Sequence, residues 1–251
     1  MHALKPPPLP ENIPAATKEA TDGAYLSLRA VSALEIASVI ISVLVTAWVI
    51  VPLQLNSRWL EAMPGLLALA LMINSHRLRG EKPSELGFTM RHFGRALLLL
   101  AAPMLIVSAL FIGFGSMAGS LSFTTRFWGS LLLLPFWGLA QQYTLQAFVY
   151  RRLKFMLVDE EGTESKRAQR TRLAIFMAAL LFALVHAPNL ALIVLTLAGG
   201  LVWSWVYERA PNLFALGLSH GVMSAIAMSS LPAWLLQSMS IGYKHLLYQR
   251  F

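Results

Sequence analysis

The chain of 251 residues contains no cysteine. That excludes disulfides, thiolate metal sites and a cysteine nucleophile. It is also poor in charge: 13% of residues are Asp, Glu, Lys or Arg, against about 25% in soluble globular proteins. So little charge cannot coat a water-soluble globule of this length. Acids are scarcest in the apolar runs, where Glu35 and Glu61 are the two that occur. An apolar run is missing from the N-terminus as well. Met1 to Asn12 holds Pro7, Pro8 and Pro10, which reads as a disordered tail rather than a cleavable signal peptide. Ala15 to Ala33 mixes polar and apolar residues, as an interfacial helix does.

What the chain has is hydrophobic length. Apolar residues make up 57% of it, in long uncharged runs separated by short basic ones, the pattern of helices in lipid joined by wet loops. Ile36 to Leu53 reads as a first span and Leu60 to Ile73 as a weaker second, interrupted by Glu61 and Pro64. Ala96 to Phe114 and Phe127 to Tyr150 read as the third and fourth. Leu173 to Val206 is uncharged but too long for one crossing of about 20 residues. Pro188 disfavours helix at the residue before it, so His186-Ala187-Pro188-Asn189 should break the run into spans five and six. Leu213 to Leu231 is the seventh, and Trp234 to Phe251 is a short eighth or an interfacial helix. The expected fold is all-α, a polytopic membrane bundle of seven to eight helices. Residues 1–33 form a tail and residues 34–251 a single transmembrane domain, without internal repeats.

The net charge is +8. Its basic residues flank apolar runs, which points to a lipid bilayer as partner and not to nucleic acid. His76 to Arg95 and Arg151 to Arg172 carry most of them. By the positive-inside rule these loops, and with them the N-terminus, are cytoplasmic. The acids Asp159, Glu160, Glu161 and Glu164 read as solvation of a flexible connector.

Polar side chains inside spans are costly and are therefore candidate functional residues. They are Gln141, Gln142 and Gln146 on span four, His186 at the end of span five, and His220 and Ser224 on span seven. Gln142 and Gln146 share a helix face, as do His220 and Ser224. Measured from Arg151, Arg209 and Arg172, Gln141, His220 and His186 lie about 15, 16 and 21 Å deep. That matching depth suggests one cavity between spans four, five and seven. The bland reading is interhelical hydrogen-bond glue, at about 0.6 to 2 kcal/mol per contact. Trp128, Trp137, Trp203 and Trp205 read as packing and interface anchors.

In this order the residues resemble the CPBP family of intramembrane endopeptidases, which includes the CAAX prenyl proteases. Its motifs are EExxxR, FxxxH and HxxxN or HxxxD. Here they stand as Gln141-Gln142-Tyr143-Thr144-Leu145-Gln146, Phe182-Ala183-Leu184-Val185-His186 and His220-Gly221-Val222-Met223-Ser224. Ser84-Glu85-Leu86-Gly87-Phe88 and Pro211-Asn212-Leu213-Phe214-Ala215 are further echoes, and the resemblance covers about residues 81–230. It implies a bacterial plasma (inner) membrane protein that handles a membrane-embedded or lipidated peptide. It also implies that the first Glu of EExxxR activates water while the histidines support it.

Here Gln141 and Gln142 hold both Glu positions, Gln146 the Arg position and Ser224 the Asn or Asp position. An amide cannot act as a general base. The substitutions are mutually consistent, since an Arg without those carboxylates would be a buried unpaired charge. The expectation is an endopeptidase homologue with lost or altered catalysis. A divalent metal such as zinc would have only His186 and His220 as ligands, fewer than the usual three protein ligands. The alternatives are a non-enzymatic membrane scaffold or chaperone and, behind it, a small transporter, which would be expected to show an inverted repeat or a buried proton-relaying acid.

Overall fold

The computed structural model describes residues 27–54, 57–158 and 162–248. Among them every regular element is a helix: α1 (Leu28–Val45), α2 (Arg58–Leu78), α3 (Phe93–Met117), α4 (Thr125–Gln142), α5 (Arg151–Leu157), α6 (Glu164–Leu184), α7 (Leu190–Arg209), α8 (Leu213–Ser230), α9 (Ala233–Leu236) and α10 (Gly242–Tyr248). Two stretches follow i→i+5 hydrogen bonding. Thr46–Ile50 continues α1, and Tyr143–Tyr150 joins α4 to α5. Helix is the expected outcome where long apolar runs must satisfy their own backbone groups.

The surface carries the apolar residues. Leu98, Leu105 and Leu110 on α3, and Leu132, Leu133 and Phe136 on α4, are exposed, while Gln142, Gln146, Ser204, Ser219 and His220 are buried. This inverted distribution suits lipid as solvent. Four stretches are long and apolar enough to cross a membrane: Leu28–Ile50, Phe93–Met117, Leu190–Arg209 and Leu213–Ser230. The expected seven to eight are not all met by that measure. α2 carries Arg58, Glu61, His76 and Arg77, α6 opens on charged turns, and α4 carries Arg126, Gln141 and Gln142 among its 18 residues.

Several boundaries differ from the sequence reading. α1 begins at Leu28, ahead of the boundary expected at residue 34. It absorbs the last residues of the expected interfacial helix, whose remainder lies outside the described residues with the tail. The expected loop from Arg151 to Arg172 is largely helical: Arg151–Leu157 is α5, and Thr163 caps α6, its side chain accepting from the Lys166 N–H. Asp159, Glu160 and Glu161 lie outside the described residues. The break at Pro188 is present, between α6 and α7. α10 has seven residues, about 10 Å of helix, too short to span.

Close backbone approaches zip particular helices together. A Cβ at Gly200 on α7 would lie 3.0 Å from the Ala179 Cα on α6, and one at Gly221 on α8 would lie 2.3 Å from the Pro135 N on α4. Small residues permit such crossings where apolar burial offers no drive between helices in lipid.

At one end of the bundle charge makes the joint. The Arg152 guanidinium is 2% exposed and forks onto Glu81, at 2.8 and 3.1 Å, while its Nε lies 3.3 Å from Glu35 on α1. Arg151 donates to Glu81 at 2.9 Å and Arg79 to Glu35 at 3.0 Å. The Ser75 hydroxyl donates to Glu35 at 2.6 Å, and His76 Nδ1 meets Glu81 at 2.6 Å. Burial alone would push the Glu81 carboxyl up. Hydrogen bonds from His76, Arg152 and Arg151 instead hold it well below the usual carboxylate range.

At the same end the loop after α2 docks on the α7–α8 turn. Tyr207 donates to the Leu86 carbonyl at 2.9 Å, Leu213 N–H to the Gly87 carbonyl at 3.0 Å, and the Asn212 amide to the carbonyls of Thr89 and Arg91. Gly87 has φ +97, and a Cβ there would approach the Leu213 N at 3.2 Å, so glycine suits the position twice over. The two sequence echoes at residues 84–88 and 211–215 are thus direct neighbours.

Candidate functional site

α4 and α8 cross backbone to backbone. A Cβ at Gly138 would lie 2.6 Å from the Gly217 carbonyl oxygen, and one at Gly217 would lie 2.7 Å from the Leu139 Cα. Gly217-Leu218-Ser219-His220-Gly221 is a small-xxx-small stretch in an apolar span, the signal that could have located this crossing. One turn beyond Gly138, the Gln142 side chain meets His220.

There the buried polar groups form a directed chain. Gln146 Nε2 donates to Gln142 Oε1 at 3.2 Å, and Gln142 Nε2 faces His220 Nδ1 at 3.2 Å. An amide nitrogen only donates, so His220 Nδ1 accepts and its Nε2 carries the proton. Gln142 and Gln146 are fully buried, and the Gln146 Oε1 has no hydrogen-bond partner.

Aromatic rings hold the histidines. Trp203 stacks on His220 with centroids 4.4 Å apart at 15°, and its indole N–H donates to Ser219 at 3.0 Å. Trp203 is therefore a wall of this site and not only an anchor, whereas Trp128, Trp137 and Trp205 are exposed. Phe182 presents ring contacts to both His186, at 4.9 Å, and His220, at 6.1 Å. His186 sits in the turn after α6 and its Nδ1 donates to the Phe182 carbonyl at 2.6 Å, which leaves its Nε2 as the acceptor.

Gln142, Gln146, His220 and, through Phe182, His186 are thus brought together. Gln142 makes the contact with His220 that depth alone assigned to Gln141. For Gln141 and Ser224, both half-buried, the described residues supply no hydrogen bond. Asn189, three residues beyond His186, holds the backbone in place. Its Oδ1 caps α7 at Leu192 N–H, and its Nδ2 donates to the carbonyls of Leu236 and Ser240.

The donor set does not fit a zinc ion held by His186 and His220. No group of three His, Asp or Glu able to hold a metal occurs among the described residues. Glu35 is committed to Arg79 and Arg152. His186 and His220 alone fall short of the three protein ligands of a usual catalytic zinc site.

Residues 123–226 match the family model described as type II CAAX prenyl endopeptidase Rce1-like. The matched stretch contains all six motif positions and agrees with the CPBP resemblance. No curated protein and no solved structure matches the chain.

Proposed function

We infer, from a chain whose residues 123–226 are similar to the type II CAAX prenyl endopeptidases, an intramembrane endopeptidase homologue that binds a membrane-embedded or lipidated peptide without cleaving it efficiently. In this reading α2, the α4–α5 rod and α6 cross the membrane with the four most apolar stretches, and the basic loops are cytoplasmic. The observation that carries it is the chain Gln146, Gln142, His220. The three motif positions that would hold two carboxylates and a guanidinium hold three amides, two of which join the imidazole in one uncharged hydrogen-bonded series.

The chemistry follows from that series. Water attacking an amide carbonyl must lose a proton, and a positioned base supplies about 10²- to 10⁴-fold of the rate. Gln142 offers an N–H and an already occupied oxygen. His220 spends its basic nitrogen on Gln142, and His186 keeps one free acceptor at Nε2. The site is therefore equipped to donate to and accept from a neutral partner. A pure scaffold, in which the same contacts only bind α4 to α8, is the competing reading. It is favoured by the glycine crossing beside them.

Restoration separates the outcomes. The triple variant Gln141→Glu, Gln142→Glu, Gln146→Arg should create or raise cleavage of a lipidated peptide substrate. Efficient cleavage by the unmodified protein, lost on His186→Ala, would overturn the non-cleaving reading. A restored variant that folds and neither binds nor cuts the peptide would favour the scaffold.

A further inference from the structure

The rod from Thr125 to Leu157 links the candidate site to the charged joint. Gln142 is the last residue of α4, Gln146 lies inside the i→i+5 stretch, and Arg152 is the second residue of α5. Wide-turn helix of this kind is rare and often found at functional sites. It persists only where its surroundings prefer it to α-helix. Each residue expelled from it would turn one end of the rod against the other by about 100° and advance it by about 1.5 Å. Both ends cannot stay in register through such a change.

We propose that Arg152 is a positioning residue for the Gln146–Gln142–His220 chain, and that the ion cluster, not the site, sets the register of the wide-turn stretch. This rests on reading Gln142 and His220 as the site. The two ends are unequally anchored. At the site end the contacts are two neutral hydrogen bonds of 3.2 Å. At the other end a guanidinium 2% exposed makes a fork on Glu81, a bond to Ser75 at 3.1 Å and an ion pair with Glu35, and lies 5.2 Å from the Phe148 ring centroid. Charge-assisted bonds are roughly twice as strong as neutral ones, and a buried charge that loses its partner is far costlier than a lost amide contact. Lys154 and Tyr150 add bonds to Glu208 at the same end. When the two anchors compete, the cluster wins.

Neither end is fully satisfied. Gln146 Oε1 is buried without a hydrogen-bond partner, and so are Arg151 Nε, Arg152 Nε and His76 Nε2 in the cluster. The ranking of the two ends therefore rests on the strength of their bonds. The register that the cluster imposes fixes which amide faces His220, and through it which imidazole nitrogen holds the proton.

The test reads that proton directly. Histidine labelled with ¹⁵N, in protein in lipid nanodiscs, gives the tautomer of each of the six histidines, with His220 identified by the signal absent in His220→Ala. The full-length protein should show His220 as a single Nε2–H form. Arg152→Lys keeps the charge but not the fork, and Glu81→Gln removes the anion. Either should replace the single form by a mixture while the protein remains folded. Gly242→Ala, which strains α10 against Ala47, should lower stability and leave the His220 signal in place.

Should Arg152→Lys itself fail to fold, insertion of one alanine after Thr144 adds a residue that one end of the rod must absorb. The His220 signature should then be lost while stability stays sensitive to Glu81→Gln. An unchanged His220 signature in folded Arg152→Lys or Glu81→Gln protein overturns the proposal. So does an insertion variant that keeps the signature. Neither result depends on whether the site binds or cuts a peptide.

Discussion

Gly221→Ala asks one methyl group to enter a crossing that has no room for it. The added Cβ would stand 2.3 Å from the Pro135 N and 2.6 Å from the Leu134 C, both backbone atoms, so no side chain can swing aside. Ordinary contact begins near 3.4 Å, so α8 must retreat from α4 by about 1 Å. The same retreat stretches the 3.2 Å contact between Gln142 and His220 to about 4 Å, beyond hydrogen-bond reach. Overpacking costs about 1 to 3 kcal/mol, and the lost interhelical bond about 0.6 to 1.7 kcal/mol more. The sum is a destabilisation of about 1.6 to 4.7 kcal/mol, with loss of the ordered His220. Unfolding equilibria in mixed micelles measure the first and ¹⁵N-histidine spectra the second. Gly129→Ala in the same α4 is the control, since its Cβ meets nothing within 4 Å. It should be neutral or slightly stabilising, by at most about 1 kcal/mol of helix propensity. If Gly221→Ala is as stable as Gly129→Ala, α4 and α8 do not cross as described.

Glu81 predicts an acid-side loss of stability. Its folded carboxyl titrates below the unfolded value, so its contribution is complete above about pH 4.3 and declines as pH falls through the depressed folded value. Glu81→Gln should remove that acid dependence and cost about 3 kcal/mol near neutral pH, the lower side for a buried pair because Glu35 remains beside Arg152. Denaturation of both proteins between pH 7 and pH 3 checks the sign, and parallel curves would refute it. Orientation is tested by Gly162→Cys: with the basic loops cytoplasmic, as proposed, it should react only with membrane-permeant reagents. Labelling of intact cells by an impermeant reagent reverses the topology. Asn212→Ala should cost about 2 to 4 kcal/mol, from the lost α8 cap and from two carbonyls left without their donor, measured by thermal unfolding in detergent. A change below about 0.5 kcal/mol would show that Tyr207 and the Leu213 N–H hold the loop without Asn212.

The features readable in the sequence are those written in local pattern. Uncharged length placed the runs that became α1, α3, α7 and α8, and Pro188 placed the break after His186. The four-residue spacing of Gln142 and Gln146 placed both on one face, where they do bond. What escaped is contact between distant segments. Glu35, Glu81 and Arg152 belong to three different stretches, and each alone looks like an ordinary charge near a helix end. Only the tertiary fold makes them one buried cluster. The wide-turn stretch is invisible because Tyr143 to Tyr150 has the composition of any apolar helix. Depth counted along the helix pointed to Gln141, but depth does not tell helix faces apart: Gln142, one turn beyond Gly138, lies on the face toward α8 and meets His220.

The glycine contacts also divide the bundle by stiffness. Gly217 and Gly221 lock α8 to α4, and Gly200 locks α7 to α6, each through backbone atoms that cannot yield without parting the helices. Between these two rigid pairs the contact runs through side chains: Trp203 against His220 with its indole N–H on Ser219, and Phe182 against His220. Rings can turn about two torsions and give way by about an ångström or more with the backbone at rest. The compliant seam of the molecule therefore coincides with its polar site, and a guest wedged between the helices meets least mechanical resistance there.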